Sequence, residues 1–387
     1  MSYDVSGIDT ADLVAVTQEF VRFPSPQTER MESEPAVQNF IGTCVVPLLE
    51  RRGFIGRRDR MGNLIVEMGP KSAERSLLLV AYAMTHPASA MPDPYSATIV
   101  DRGEGRAIRG RGVAEQKGAL AAAIVACERA LQMGPLTGRL VFAVSSAGET
   151  GRHDAAIAIL EALETVPQLG IVALGTNNRL AVAHKGRLDV HVVVRGRAAH
   201  SSTPWLGINA IDGARRVLDV LSELSLGDAE HAQLGKATLT ATHINSLPVA
   251  THTVQNEVLI TVDRRLLPGQ RAEQALADIV GAIKQIEGPW KIEVQPGPFM
   301  YPCQIAESGP LFQAVGNSRR KAGRPPIEVL YSHGALDAGF LGTVGCDAAM
   351  WGPGRMEQFH SDEETLLESE LLTGAEDYLN FIRHCVA

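Results

Sequence analysis

Ile108 to Leu131 reads IRGRGVAEQKGALAAAIVACERAL, a glycine-rich turn running straight into an apolar segment. Gly110 and Gly112 permit backbone with φ > 0 and let other groups approach closely. The Ala-rich run after Gly118, ending at Glu128 and Arg129, predicts a buried helix. Between turn and helix sit Glu115, Gln116 and Lys117. A carboxylate there lies near the positive end of the helix dipole. Two roles are open to Glu115 from this stretch alone: a helix cap, or a metal ligand whose partners come from elsewhere in the chain.

Outward from this turn, three strands are apolar along most of their length, SLLLVAY at 76–82, RLVFAV at 139–144 and IVAL at 171–174, and a further strand is expected at 348–351. Such strands belong to a sheet covered on both faces. A further strand is expected at 63–68 and another near 327–331, with helices over 9–23, 34–52, 309–322, 335–341 and 366–384; Gly53 is the expected C-cap of the second. The segment 83–96, holding Met84, His86 and three prolines, is expected to be irregular. At Arg187 the pattern changes to alternation over 188–194. A helix at 209–224, strands at 237–243 and 257–262, a helix at 271–286 and a strand at 291–294 follow. That order fits a compact α/β sandwich inserted into the larger domain, with Pro296-Gly-Pro298 marking the return. The expected fold class is therefore α/β. A discontinuous domain, 1–186 and 299–387, holds a mixed sheet with helices on both faces, and 187–298 forms the insert.

A chain of 387 residues suits two domains. A net charge of −8 argues against nucleic acid or an anionic membrane as the main partner. No apolar run reaches the roughly 20 residues of a membrane helix. The opening MSYDVSGIDTADL lacks the basic and apolar regions of a signal peptide. Cys44, Cys127, Cys303, Cys346 and Cys385 show no CxxC spacing and read as reduced thiols of a cytoplasmic protein.

Chemistry-bearing residues gather where the strands are expected to end. Glu149 lies in SSAGETG (145–151), after a buried strand, and His360 lies in the loop that follows Trp351. Carboxyl ends of strands are where open α/β sheets place their ligands. With Glu115 these residues make two carboxylates and one imidazole, a set that suits zinc with a fourth position left for water. Ser145 and Ser146 lack the GxSxG surroundings of a serine nucleophile.

Six segments carry a family resemblance: LLLVAYAMTHP (77–87), GRGVAEQKGALAAAI (110–124), SSAGETG (145–151), AHKGRLDVHVVVRGRAAHSSTPWLGINAI (183–211), TVDRRLLPG (261–269) and WGPGRMEQFHSDE (351–363). Over nearly its whole length the chain resembles the M20 metallopeptidases and deacylases, such as acetylornithine deacetylase and succinyl-diaminopimelate desuccinylase. The resemblance implies a ferredoxin-like lid and dimerisation insert, a homodimer and a two-zinc site. In that site Tyr82 stands where the family has a histidine ligand, and Met84 where it has the aspartate orienting that histidine. Glu115 takes the bridging position, and Leu174 that of an acidic ligand. Gly148 stands in for the general base, while Glu149 and His360 keep ligand positions. One cation would thus retain Glu115, Glu149 and His360, whereas the other has lost two of its three ligands. The expectation is one divalent metal (Zn, Mn or Co) or none.

On the substrate side the resemblance assigns His200 to the scissile carbonyl oxygen, reached across the dimer, and Arg265 to a substrate carboxylate. His252 replaces an asparagine beside it. Gly352 and Gly354 of the GPG loop are expected to offer backbone N–H groups to an anion. Tyr82 and His86 are candidates for new catalytic roles, although His86, His153 and His333 read more simply as solvated loop histidines. Asp337 is expected to cap a helix, and Lys117 and Lys185 to satisfy carboxylates or carbonyls. The function implied is an M20-like amidohydrolase or deacylase with an altered site, acting on a small carboxylate-bearing amide or N-acyl amino acid. The alternatives are a non-catalytic carboxylate-binding homologue, or a lyase or isomerase on the same fold.

Overall fold

The computed structural model describes residues 7–387. The reading of the N-terminal sequence rests partly on residues 1–6, which lie outside them. The first helix, Thr10–Arg22, starts where the Asp9 carboxylate accepts the Ala11 N–H at 2.9 Å, and it buries Leu13, Val16, Phe20 and Val21. The single helix expected over 34–52 is instead three pieces: Pro35–Asn39, a wider π-turn Phe40–Val45, and Val46–Arg51. Pro47 has no N–H to give the Thr43 carbonyl, and the Val46 N–H reaches back five residues to Ile41. Gly53, at φ +80°, follows the last piece.

Two compact units make up the chain. One holds the chain up to Ala183 together with Gln304–Leu330 and Asp337–Ala387; the other holds His184–Cys303 and Tyr331–Leu336. The insert expected at 187–298 falls within the second. In the first unit the sheet runs Gly56–Arg58, Leu64–Met68, Arg139–Ser145, Ser76–Tyr82, Leu169–Ala173, Asp347–Trp351, Leu180–His184. Ser76–Tyr82 pairs in parallel with both Arg139–Ser145 and Leu169–Ala173, and the latter pairs in parallel with Asp347–Trp351. Every residue of Arg139–Ser145 is buried, as both-face coverage requires. Truncating one such side chain, Leu79 for example, to alanine costs about 2–5 kcal/mol. The parallel strands end together at Tyr82, Ser145, Ala173 and Trp351, so the loops that follow share one edge.

A small antiparallel sheet was not expected: Thr98–Arg102, Gly105–Arg109 and Thr365–Leu367. Its strands are short and largely polar, without a buried face to create alternation. It joins the start of the Gly110–Gly112 turn to the segment after His360. In the second unit four antiparallel strands lie in the order Thr238–Leu247, Glu257–Leu266, Gly186–Arg195, Lys291–Met300. Glu257–Leu266 buries alternate residues, and Val258, Ile260 and Val262 pack with Val190 and Val192 against Ala214, Val217 and Ile279 of two helices. These helices are Ala210–Glu223 and Ala272–Ile283, giving a ferredoxin-like sandwich. Among the described residues no helix is long and apolar enough to cross a membrane.

Candidate metal centre

Gly112 sits at φ +78°, and a Cβ there would meet the Thr85 methyl at 2.4 Å, so the turn admits only glycine. The chain then makes a wide turn, Val113–Lys117, before the helix Gly118–Gln132. Glu115 on this turn is nearly buried and makes no capping bond to the helix. Its Oε2 lies 3.3 Å from His360 Nε2. His360 has φ +59°, an unfavourable value for a side-chain-bearing residue that persists where the surroundings hold it. Glu149, from the loop after Arg139–Ser145, brings Oε1 within 3.6 Å of the same nitrogen. One ligand atom from each of the three lies within 4.8 Å of the others. Gln116 Nε2 donates to Glu149 Oε1 at 2.9 Å, and Gln27 Nε2 to the Glu149 carbonyl at 2.6 Å, fixing that loop.

Burial raises the Glu115 carboxyl above the usual carboxylate range, and the charge of Glu149 adds to this while the His360 bond opposes it. Hydrogen bonds to Glu115 and Glu149 raise the His360 imidazole to about 10. A proton on His360 therefore sits between two carboxylates, at a place where a divalent cation would replace it. Two carboxylate oxygens and one imidazole nitrogen at this spacing fit such an ion and leave a coordination position open. His86 is not a solvated loop residue. Its ring stacks on His360 with centroids 3.9 Å apart, and its Nδ1 lies 2.9 Å from the Pro87 carbonyl.

Tyr82, which the resemblance sets at a ligand position of a second cation, is engaged by protein groups. The Tyr82 hydroxyl donates to Asp337 Oδ2 at 2.7 Å, and Asp337 Oδ1 pairs with His153 Nδ1 at 2.7 Å. All three side chains are buried, as are the apolar Met84 and Leu174. The capping role expected for Asp337 is corrected here: it makes no capping bond, because a buried carboxylate is better served by two side-chain donors. His153 likewise is buried rather than solvated, its ring stacked on Phe340. A Cβ on Gly148 would lie 2.4 Å from the Met84 carbonyl, so backbone closes the space there.

Of the remaining candidates, His200, His252 and Arg265 lie in the insert, and Gly352, Gly354 and Lys117 in the first unit. His200 is exposed, and its Nδ1 accepts the Ser202 N–H at 3.1 Å, which leaves the proton of a neutral ring on Nε2. The His252 ring lies 6.0 Å from it. Arg265 already grips Asp263 with both arms of its fork, at 2.8 and 2.9 Å. The Gly352 N–H donates to Thr176 Oγ1 at 3.0 Å and is thus used within the fold rather than offered to an anion. Gly354, at φ +108°, allows the Ala114 carbonyl to within 1.9 Å of where a Cβ would stand. Lys117 donates to the Phe20 and Phe23 carbonyls, and Lys185 to that of Lys236. Asp263, Gln116 and Glu364 were not anticipated. Nothing in the run HSDEE marks its last member as the buried one.

Comparison with known proteins finds the following similarities. The model of the M20 peptidase dimerisation domain matches residues 182–291. The chain is 28% identical over 315 residues to a probable carboxypeptidase of Uncinocarpus reesii, covering 73% of this chain and 69% of that protein. It is 26% identical over 295 residues to the succinyl-diaminopimelate desuccinylase of Pseudomonas syringae pv. tomato, covering 72% and 73%. An M20 family metallo-carboxypeptidase from Sulfolobus solfataricus superposes with a TM-score of 0.76 at 16% identity, over 96% of this chain and 98% of that one. A dinuclear metal-binding M20 peptidase from Bacillus subtilis superposes at 0.68 and 14% identity, over 97% of each. The fold and the insert resemble those of M20 peptidases, and the curated relatives include a probable carboxypeptidase and a desuccinylase. The chain is M20-like, with the M20 peptidase fold and the family's dimerisation domain within it.

Proposed function

We propose that the protein is an M20-like amidohydrolase or deacylase that works with one divalent cation, Zn, Mn or Co. Its substrate is a small carboxylate-bearing amide or N-acyl amino acid. The observation carrying this reading is the meeting of Glu115, Glu149 and His360 at the strand-end edge of the sheet. These three would hold the cation. The chemistry a cation supplies in such a site is polarisation of the amide carbonyl and activation of water. His200 would donate Nε2–H to the carbonyl oxygen as negative charge develops there. Arg265, oriented by Asp263, and His252 would take the substrate carboxylate through the donors left to them.

The proton acceptor is what this site lacks. With Gly148 closed against Met84, no carboxylate stands beside Glu149 in the chain to take a proton from water. Loss of a general base costs about 10²–10⁴-fold in rate, so slow hydrolysis is expected. The same observation favours a second reading, a non-catalytic carboxylate-binding homologue.

We place the protein in the cytoplasm, a reading supported by five free cysteines, and as a homodimer through the insert. Turnover of a panel of N-acyl amino acids and dipeptides separates the readings. Release of free amine that falls at least about 10²-fold in His200→Ala supports the enzyme. Binding without turnover in either protein supports the second reading.

A further inference from the structure

We propose that Glu364, together with Arg111, is a positioning residue for the cation site. It clamps the turn bearing Glu115 to the loop bearing His360 and so sets the separation of those two ligands. The inference rests on the reading of Glu115, Glu149 and His360 as cation ligands.

Glu364 is only 1% exposed, and its carboxylate is fully engaged. Oε1 accepts the N–H groups of Ala114 at 2.9 Å and of Glu115 itself at 3.3 Å. Oε2 accepts the Gly112 N–H at 2.8 Å and Arg111 Nη1 at 3.1 Å. Its backbone carbonyl takes the Gly110 N–H at 3.2 Å. Arg111, with no exposed surface, also donates to the carbonyls of Ser361 at 3.1 Å and Ala88 at 3.0 Å. The pair thus starts four residues after His360 and ends on the backbone of Glu115.

These N–H groups precede a helix and have no partner within it. A buried carboxylate is costly unless every lone pair is used, and here its bonds converge on one turn. Contrast the buried pair Arg319–Asp377, which ties the helix Pro310–Lys321 to Glu368–Val386 without touching a ligand-bearing loop. A clamp that only stabilised the fold could sit anywhere. This one fixes the backbone of a ligand, and residues that orient ligands tune affinity by about 10–100-fold.

The test is titration of the full-length apo-protein with Co²⁺, followed by visible absorption. It compares wild type, Glu364→Gln and Asp377→Asn. Glu364→Gln keeps the shape but turns an NH₂ toward donors of Gly112 or Arg111. The expected result is Co²⁺ affinity at least about tenfold weaker and a shifted absorption band, while Asp377→Asn lowers the melting temperature with affinity and band unchanged. Should Glu364→Gln fail to fold, Arg111→Lys, which loses the fork but keeps the charge, carries the same expectation. Affinity within twofold of wild type with an unchanged band would overturn the positioning role alone. A wild-type protein that takes up no Co²⁺ would instead overturn the cation reading, and the clamp with it.

Discussion

Tyr82 donates its hydroxyl to Asp337 at 2.7 Å, at a strand end that faces the loops carrying Glu149 and His360. Burial, with the charge of Asp337 next, raises this phenol well above 10, so it stays neutral and serves as a donor. A neutral donor satisfies this buried carboxylate without a cation. Tyr82→Phe leaves Asp337 Oδ2 unpaired, and stability should fall by about 1–3 kcal/mol in urea unfolding. Cation stoichiometry should not change. A rise in stoichiometry on this substitution would show that the hydroxyl, rather than the apolar Met84 and Leu174, is what keeps a second ion out.

Restoring a carboxylate beside Glu149 should not restore a general base. In Gly148→Glu the new Cβ would overlap the Met84 carbonyl at 2.4 Å, so the loop must shift. Thermal unfolding should show a lower midpoint, and turnover should stay at or below the wild-type level. Faster turnover with an unchanged midpoint would mean that the loop accommodates the side chain freely.

Protons and cation should compete for one place. His360, raised to about 10, and Glu115, raised by burial, both hold protons at pH values where free groups would not. The cation needs His360 unprotonated and Glu115 ionised, so binding releases protons and apparent affinity rises as pH increases from 6 toward 9. Calorimetry in buffers of different ionisation enthalpy measures the release directly. An affinity that is flat over this range would contradict the assignment.

The insert presents apolar side chains on one stretch of its surface. Ile211 and Ile244 are 46% and 55% exposed, and with Leu218 and Val258 they line a groove of about 280 Å³. If a second copy covers this groove, a buried charge there is costly. On the proposed homodimer, Ile244→Glu should give a folded monomer by light scattering, whereas Arg271→Ala, exposed on the insert, should leave the mass at twice that of the chain.

Much of this was legible in sequence, and the gaps have physical causes. Ser76–Tyr82 and Arg139–Ser145 were readable because both faces are buried and the positions between their ends are apolar. Glu115, Glu149 and His360, whose ligand atoms lie within 4.8 Å of one another, could be named because few side chains can hold a metal and loops after buried strands are where open α/β sheets place ligands. The role of Asp337 was missed because a residue before a helix looks the same whether it caps or turns inward. Arg265 was read as free for substrate because Asp263, two residues away on the same strand face, gives no sign that it will take the fork. The π-turn Phe40–Val45 follows from Pro47, but helical periodicity alone does not report a local change of winding.

The number of ions per chain tests the central claim most directly. Purified protein equilibrated with excess zinc and then passed through a desalting column should retain one zinc per chain by atomic emission, and Glu149→Ala should retain none. Two ions per chain, or a single ion that survives Glu149→Ala, would contradict a one-cation site built from Glu115, Glu149 and His360.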